Sequence, residues 1–208
     1  MKSIVLNGTL RTDNGKKAAK NLRNTGEVLC NLYGGADNVM FSAPYNSFTP
    51  IVYSPDFYKI EIKLEDKTYT ALVKDIQFHP VSDKIQHIDF LELVPGKTII
   101  ADIPIVLVGQ ADGVKAGGKL IQKLRKLKVK STPENLVDKV EVNVTNLKLG
   151  KSIKVRNISQ ANFEILNQGP LPVASVEVPR ALRGTFKASA DEEETVAEVA
   201  EVAAEAAE

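Results

Sequence analysis

A chain of 208 residues, 43% of them apolar, can bury a sizeable core in one domain or two. Its one cysteine, Cys30, excludes a disulfide framework or a cysteine-rich zinc site and suits a reducing cytosol. The net charge of +1 hides a segregation, because residues 191–208 hold eight acids and no base, leaving 27 bases against 18 acids elsewhere, a body of +9. Such a basic body fits a polyanionic partner.

The apolar run Ile4-Val5-Leu6 is too short for a signal-peptide core, and no segment approaches a membrane span. The expectation is a soluble, cytoplasmic protein. Ser3 to Leu10 leans towards strand. Arg11 to Gly26 is polar and basic, with helix-compatible residues over Lys16–Arg23 and a stop at Gly26. Val28 to Tyr33, closed by Gly34-Gly35, and Val39 to Ser42 read as strands. Pro44 to Pro55 has helix-start chemistry, but Pro50 and Pro55 limit it to a short helix. From Phe57 to Leu64 the residues Tyr58, Ile60, Ile62 and Leu64 alternate onto one face. Glu65-Asp66 turns the chain into Thr68–Phe78, a hairpin, and after the loop His79 to Asp83 the stretch Lys84–Val94 is another strand.

Pro95-Gly96 is the best boundary, which predicts domains at 1–94 and 95–187 with a tail at 188–208. Residues 95–190 hold 16 bases and 7 acids. Thr98–Val108, Lys139–Thr145, Ser152–Arg156 and Val173–Val178 read as strands, with turn chemistry at Asn146–Gly150. Separated by Gly- and Pro-bearing loops, they predict an irregular, sandwich-like β domain. The tail has high helix propensity but no broad apolar face, and its like charges repel. It reads as disordered, either a simple solvating tail or one held off an RNA surface by charge.

Several patterns invite chemistry. Gly113-Val-Lys-Ala-Gly-Gly118-Lys119-Leu120 has the spacing of a phosphate-binding loop, but Leu120 stands where the magnesium-binding hydroxyl belongs. It reads as a flexible loop, not an NTPase site. Lys119 to Lys130 has Leu120, Ile121, Leu124 and Leu127 at helical spacing, while alternation also runs through Ile121, Lys123, Arg125, Leu127 and Val129. Periodicity favours a basic amphipathic helix, either a solvated face or a phosphate-tracking strip. His79, His87 and Asp89 could be set as metal ligands for a hydrolase, yet no further histidine or carboxylate cluster completes such a site. No metal and no cofactor is therefore expected. Nothing near Cys30 activates its thiol.

The more informative constellation is basic. Arg11, Lys16, Lys17, Lys20 and Arg23, spread over a loop and a helical turn, can neutralise neighbouring phosphates. Tyr33 offers a flat face to a ribose or base. His87 and Asp89, two apart on a strand, share a face. An exposed Asp facing RNA makes sense mainly as an acceptor for base amino or imino protons, because phosphates repel it.

These residues also carry a resemblance. Arg11-x-x-x-Gly15-Lys16, Leu22-Arg23-x-x-Gly26 and Leu32-Tyr33-Gly34-Gly35, followed by Val73-Lys74-Asp75-Ile76-Gln77-Phe78-His79-Pro80 and His87-Ile88-Asp89-Phe90, resemble the family of large-subunit ribosomal protein twenty-five. That family includes bacterial general stress proteins of the same type. Residues 97–180 resemble the second domain of its long form, through Asp112-Gly113-Val114-Lys115, Gly118 and Leu147-Lys148-Leu149-Gly150.

The resemblance implies a mainly β protein, with an N-terminal β-barrel carrying short helices and a β-rich second domain, and it makes Lys119–Lys130 strand. It implies a non-enzymatic, ribosome-associated component of the large subunit that binds the loop E region of 5S rRNA beside neighbouring rRNA and proteins. No membrane or small-molecule substrate is implied. By position Arg11, Lys20, Arg23, Tyr33, Gln77, His79, His87 and Asp89 would lie on or beside the RNA face. The chain departs from the family at Phe78 and Asn21, where arginines are usual, and in Leu29-Cys30-Asn31-Leu32, which lacks a usual proline. Lost guanidiniums predict weaker RNA binding or a larger share for the second domain. The competing expectations are a stress-linked RNA-binding protein off the ribosome, and the metal hydrolase.

Overall fold

The computed structural model describes residues 2–13, 15–35, 37–65, 67–158 and 163–179. Six strands close a barrel: β1 (Lys2–Leu10), β2 (Glu27–Tyr33), β3 (Val39–Pro44), β4 (Tyr58–Leu64), β5 (Lys67–Phe78) and β6 (Ile85–Glu92), in the spatial order β1-β3-β2-β6-β5-β4. The pairs β1–β4 and β2–β6 are parallel and the other pairs antiparallel. Alternation follows from the two-residue period of a strand: Val28, Cys30 and Leu32 point inward, as do Ile60, Ile62 and Leu64.

The barrel is filled by large side chains. Phe41 and Phe90 lie 5.7 Å apart by ring centroids, and Phe48 lies 6.4 Å from Phe90. Phe48 and Ile51 come from the short helix α2 (Tyr45–Val52), which holds Pro50 and stops two residues later. The expected helix at Lys16–Arg23 is α1 (Lys16–Asn24). It ends at Gly26, whose φ of 87° lies in the left-handed region that favours glycine.

Strand β5 contains a bulge. Val73 pairs with Phe90 but Asp75 pairs with Asp89, so Lys74 is the extra residue. Val73 and Ile76 can thus both pack on the core, although three positions apart. Strict alternation would have sent Asp75 and Gln77 inward with Val73. The bulge puts them on the outer wall.

Beyond the barrel the chain stays β-rich. Strands β7 (Ile99–Val108), β8 (Lys119–Gln122), β9 (Lys126–Ser131), β10 (Val140–Asn143), β11 (Ser152–Lys154), β12 (Glu164–Ile165) and β13 (Pro172–Glu177) form two sheets, β10-β7-β9-β12 and β11-β13-β8. A one-turn helix, α3 (Asp112–Lys115), follows β7. The helix favoured by periodicity over Lys119–Lys130 does not form; that segment is β8, a bend and β9. In β9 Leu127, Val129 and Ser131 are buried while Lys126, Lys128 and Lys130 are exposed, and the strand pairs with β7 from Ile99 to Pro104. Cross-strand burial outweighs the helical spacing of a few leucines.

The described residues of 1–106, 126–140 and 160–167 form one compact unit, and those of 107–125, 141–159 and 168–179 a second. Pro95-Gly96 lies in the turn between β6 and β7, with Lys97 N–H donating to Val94 O at 3.2 Å. The tail at 188–208 lies outside the described residues.

Candidate nucleic-acid interface

Helix α1 lies against β2. Ala18, Ala19 and Leu22 are half-buried, while Lys16, Lys17, Lys20 and Arg23 are exposed. On the strand beneath, Leu29 is buried although it faces outward. The Arg23 Nε donates to Gln86 O at 3.3 Å, tying the end of the helix to β6. The exposed side of the helix therefore carries four cations, of which Arg23 is tied to the barrel.

Beside it runs the outer wall of β2, β6 and β5. Register aligns Leu29, His87 and Gln77 in one row, and Asn31, Asp89 and Asp75 in the next. His87 Nδ1 lies 3.1 Å from Asp89 Oδ1, with both side chains about a quarter exposed (27% and 26%). The approach is close, but it is not aligned as a hydrogen bond, and Nδ1 is otherwise buried without a partner among the described residues. Asp89 and Asp75 are near enough to Tyr33 to act on its phenol, whose pKa is raised first by partial burial and then by these two carboxylates. Tyr33 thus stays protonated and offers an O–H donor at the edge of the polar row.

Arg11 follows β1. Its backbone N–H donates to Met40 O at 3.0 Å and its Nη2 to Asp13 O at 3.1 Å, while its buried Nε has no partner among the described residues. Burial pushes the Cys30 thiol well up; the Arg11 charge opposes that shift and the Asp89 charge adds to it. Arg11 and Asp89 therefore act electrostatically on the same stretch of wall. Cys30 itself is buried and neutral.

His79 is placed differently. It opens the β5–β6 turn, where its Nδ1 accepts from the N–H groups of Val81 (3.3 Å) and Ser82 (3.2 Å), and its backbone N–H donates to Lys84 O at 2.8 Å. Its first role is to shape that turn. Phe78, at the usual arginine position, pairs with Ile85 and is 43% exposed. Asn21 is exposed on α1. Asn31 and Asp75 were not singled out from sequence, and both join the row of Asp89. The parallel β2–β6 pairing and the bulge in β5 bring them there, and neither leaves a local signal.

The glycine-rich segment is closed to phosphate. Every backbone N–H from Asp112 to Gly118 donates to a carbonyl: Asp112 to Thr145 (3.0 Å), Gly113 to Leu147 (2.8 Å), and the others to carbonyls between Ala111 and Val114. A phosphate-binding loop needs those groups free. Among the described residues no group of three His, Cys, Asp or Glu side chains could hold a metal ion, and no helix is long and apolar enough to cross a membrane.

Residues 6–90 match the Ribosomal L25p family, and residues 98–180 match the ribosomal protein TL5 C-terminal domain. The chain is 44% identical over 186 residues to the large ribosomal subunit protein bL25 of Azobacteroides pseudotrichonymphae, covering 89% of this chain and 98% of that protein. The protein of the same name from Phocaeicola vulgatus is 42% identical over 191 residues, covering 88% and 96%. That of Bacteroides fragilis is 41% identical over 194 residues, covering 91% and 99%. The barrel, the second β-rich region and these matches agree, and the chain belongs to the ribosomal L25p family in its long form with a TL5-type C-terminal domain.

Proposed function

We propose that the chain, a structural component of the bacterial large ribosomal subunit by its family, binds 5S rRNA in the loop E region through α1 and the outer wall of β2, β6 and β5. The observation that carries this reading is the quarter-exposed His87–Asp89 pair, with Asp89 in one row with Asn31 and Asp75, beside the exposed cations of α1. Carboxylates in a cationic surround are acceptors in search of base N–H donors. A-form RNA hides its bases in a deep major groove, so a protein reads a distorted or widened helix from the minor groove and the phosphates. Lys16, Lys17, Lys20, Arg23 and Arg11 would set the register on phosphates. Tyr33, Gln77, His87 and Asp89 would test base edges and riboses, with His79 holding the adjoining turn.

The action is recognition without turnover, in the cytoplasm on the ribosome, and needs no cofactor. The closed glycine segment and the buried Cys30 support that reading. Domains at 1–94 and 95–187 with an acidic tail at 188–208 belong to the same proposal. The test is a titration against 5S rRNA and a loop E mutant at two salt concentrations. Tight, salt-sensitive binding lost with the mutant is expected. Weak binding indifferent to the mutation would leave only non-specific attraction by the basic body.

A further inference from the structure

A second feature lies at the far edge of α1. Gly26 turns the chain out of the helix, its O accepting from Tyr45 N–H at 3.0 Å and its N–H donating to Arg23 O at 3.2 Å. This turn, the start of α2 and the β5–β6 turn enclose a groove of about 1050 Å3. Its volume is at the upper end for a small-ligand pocket and leaves ample room for a single nucleotide.

The lining is unlike the polar wall. Lys20, Arg23 and Lys84 contribute three cations. Arg23 gives Nε to Gln86 O, and among the described residues its terminal nitrogens have no partner, which leaves them for an anion. Val28 and Ile85 are buried at the groove, and the half-buried Tyr45 packs on the barrel core while lining it. Glu27 also lines it, and its Oε2 is buried with no hydrogen-bond partner among the described residues. Turned into the groove by a rotation of the side chain, this orphaned acceptor would gain a donor. His79 accepts through Nδ1, so Nε2 carries the ring proton at the groove edge.

Cations, an aromatic side chain and one unmatched carboxylate are the needs of a single nucleotide: phosphate, base face and base edge. We propose that this groove takes one unstacked nucleotide of the bound RNA, with its phosphate on Lys20, Arg23 and Lys84, its base against Tyr45, and its edge donating to Glu27. Guanine is the base that fits best, since its N1–H and N2 amino group present adjacent donors to a carboxylate. The inference rests on the RNA-binding reading for the source of the nucleotide but not for the chemistry of the groove.

The test uses the full chain. Wild type, Lys84→Ala, Glu27→Gln and Asp89→Ala are titrated with 5S rRNA, and each is titrated with GMP and UMP while amide and tyrosine NMR signals are followed. Lys84→Ala is expected to weaken RNA binding and reduce its salt slope by about one. Glu27→Gln is expected to weaken it by roughly tenfold, the size of one base contact. GMP should shift signals at Glu27, Tyr45 and Lys84 more than UMP does, and less in Lys84→Ala. If Asp89→Ala weakens RNA binding while both groove variants bind like wild type and GMP shifts nothing, the groove proposal is overturned and the wall reading stands. GMP shifts with unchanged RNA binding in the groove variants overturn the RNA source and assign the groove to a free nucleotide. GMP shifts in a protein that ignores 5S rRNA overturn the wall reading instead.

Discussion

Asp89 shares its row with Asp75 and Asn31, and its energetic meaning depends on what faces it. Among the described residues its charged partner is His87, at 3.1 Å. Replacing Asp89 with Ala should leave the barrel intact, because the side chain lies on the outer wall, and should weaken specific RNA binding by about 1–3 kcal/mol. Equal affinity and equal discrimination against unrelated RNA in the variant would remove Asp89 from the interface. Cys30 gives a prediction of the opposite kind. Burial holds its pKa above the free-thiol range, so it carries no thiolate near neutral pH. Iodoacetamide at pH 8 should label the native protein slowly and the unfolded protein fast; fast native labelling would mean that the β2 wall opens. The shared face of His87 and Asp89 was legible because side chains two apart on any strand share a face. The structural duty of His79 was not, because it depends on how the next three residues turn.

Among the elements, α1 was readable from its residue types and from Gly26, while β8 and β9 were not. Their leucines satisfy helical spacing, and only the strands alongside, β13 for β8 and β7 for β9, fix the alternating choice. The glycine-rich segment shows the same dependence. Its glycines are needed for close approach: a Cβ on Gly113 would sit 2.7 Å from Leu149 N and 2.8 Å from Lys148 C, both backbone. Gly113→Ala should therefore destabilise the unit that holds α3 by about 1–3 kcal/mol through overpacking. Thermal unfolding checks this, and an unchanged transition would show that the 147–150 loop yields at little cost. The same contacts explain why spacing that resembles a phosphate loop carries no phosphate chemistry.

For the whole molecule, charge is distributed by segment. Residues 1–94 balance at 11 bases and 11 acids, so binding there depends on local placement and not on overall field. Removing residues 191–208 takes the chain from +1 to +9. The truncated protein should bind unrelated RNA more tightly at low salt, and the difference should vanish as salt screens it. Gel-shift titrations at two ionic strengths measure this, and identical curves at both would make the tail electrostatically silent towards RNA.

The sequence by itself determined where most strands and both principal helices fall, which segments are basic, and that His87 and Asp89 share a face. These properties belong to contiguous residues, whose periods and propensities act locally. Only the tertiary structure decided that Asn31, Asp89 and Asp75 form one row, that Lys74 bulges to turn Asp75 and Gln77 outward, and that Lys126–Ser131 is a strand. Those outcomes depend on the parallel closure of β2 on β6, on the shifted register of β5 against β6, and on the pairing of β9 with β7. The first and last join segments separated in the chain, and such pairing and register are chosen by burial in the assembled core rather than by any short run of residues.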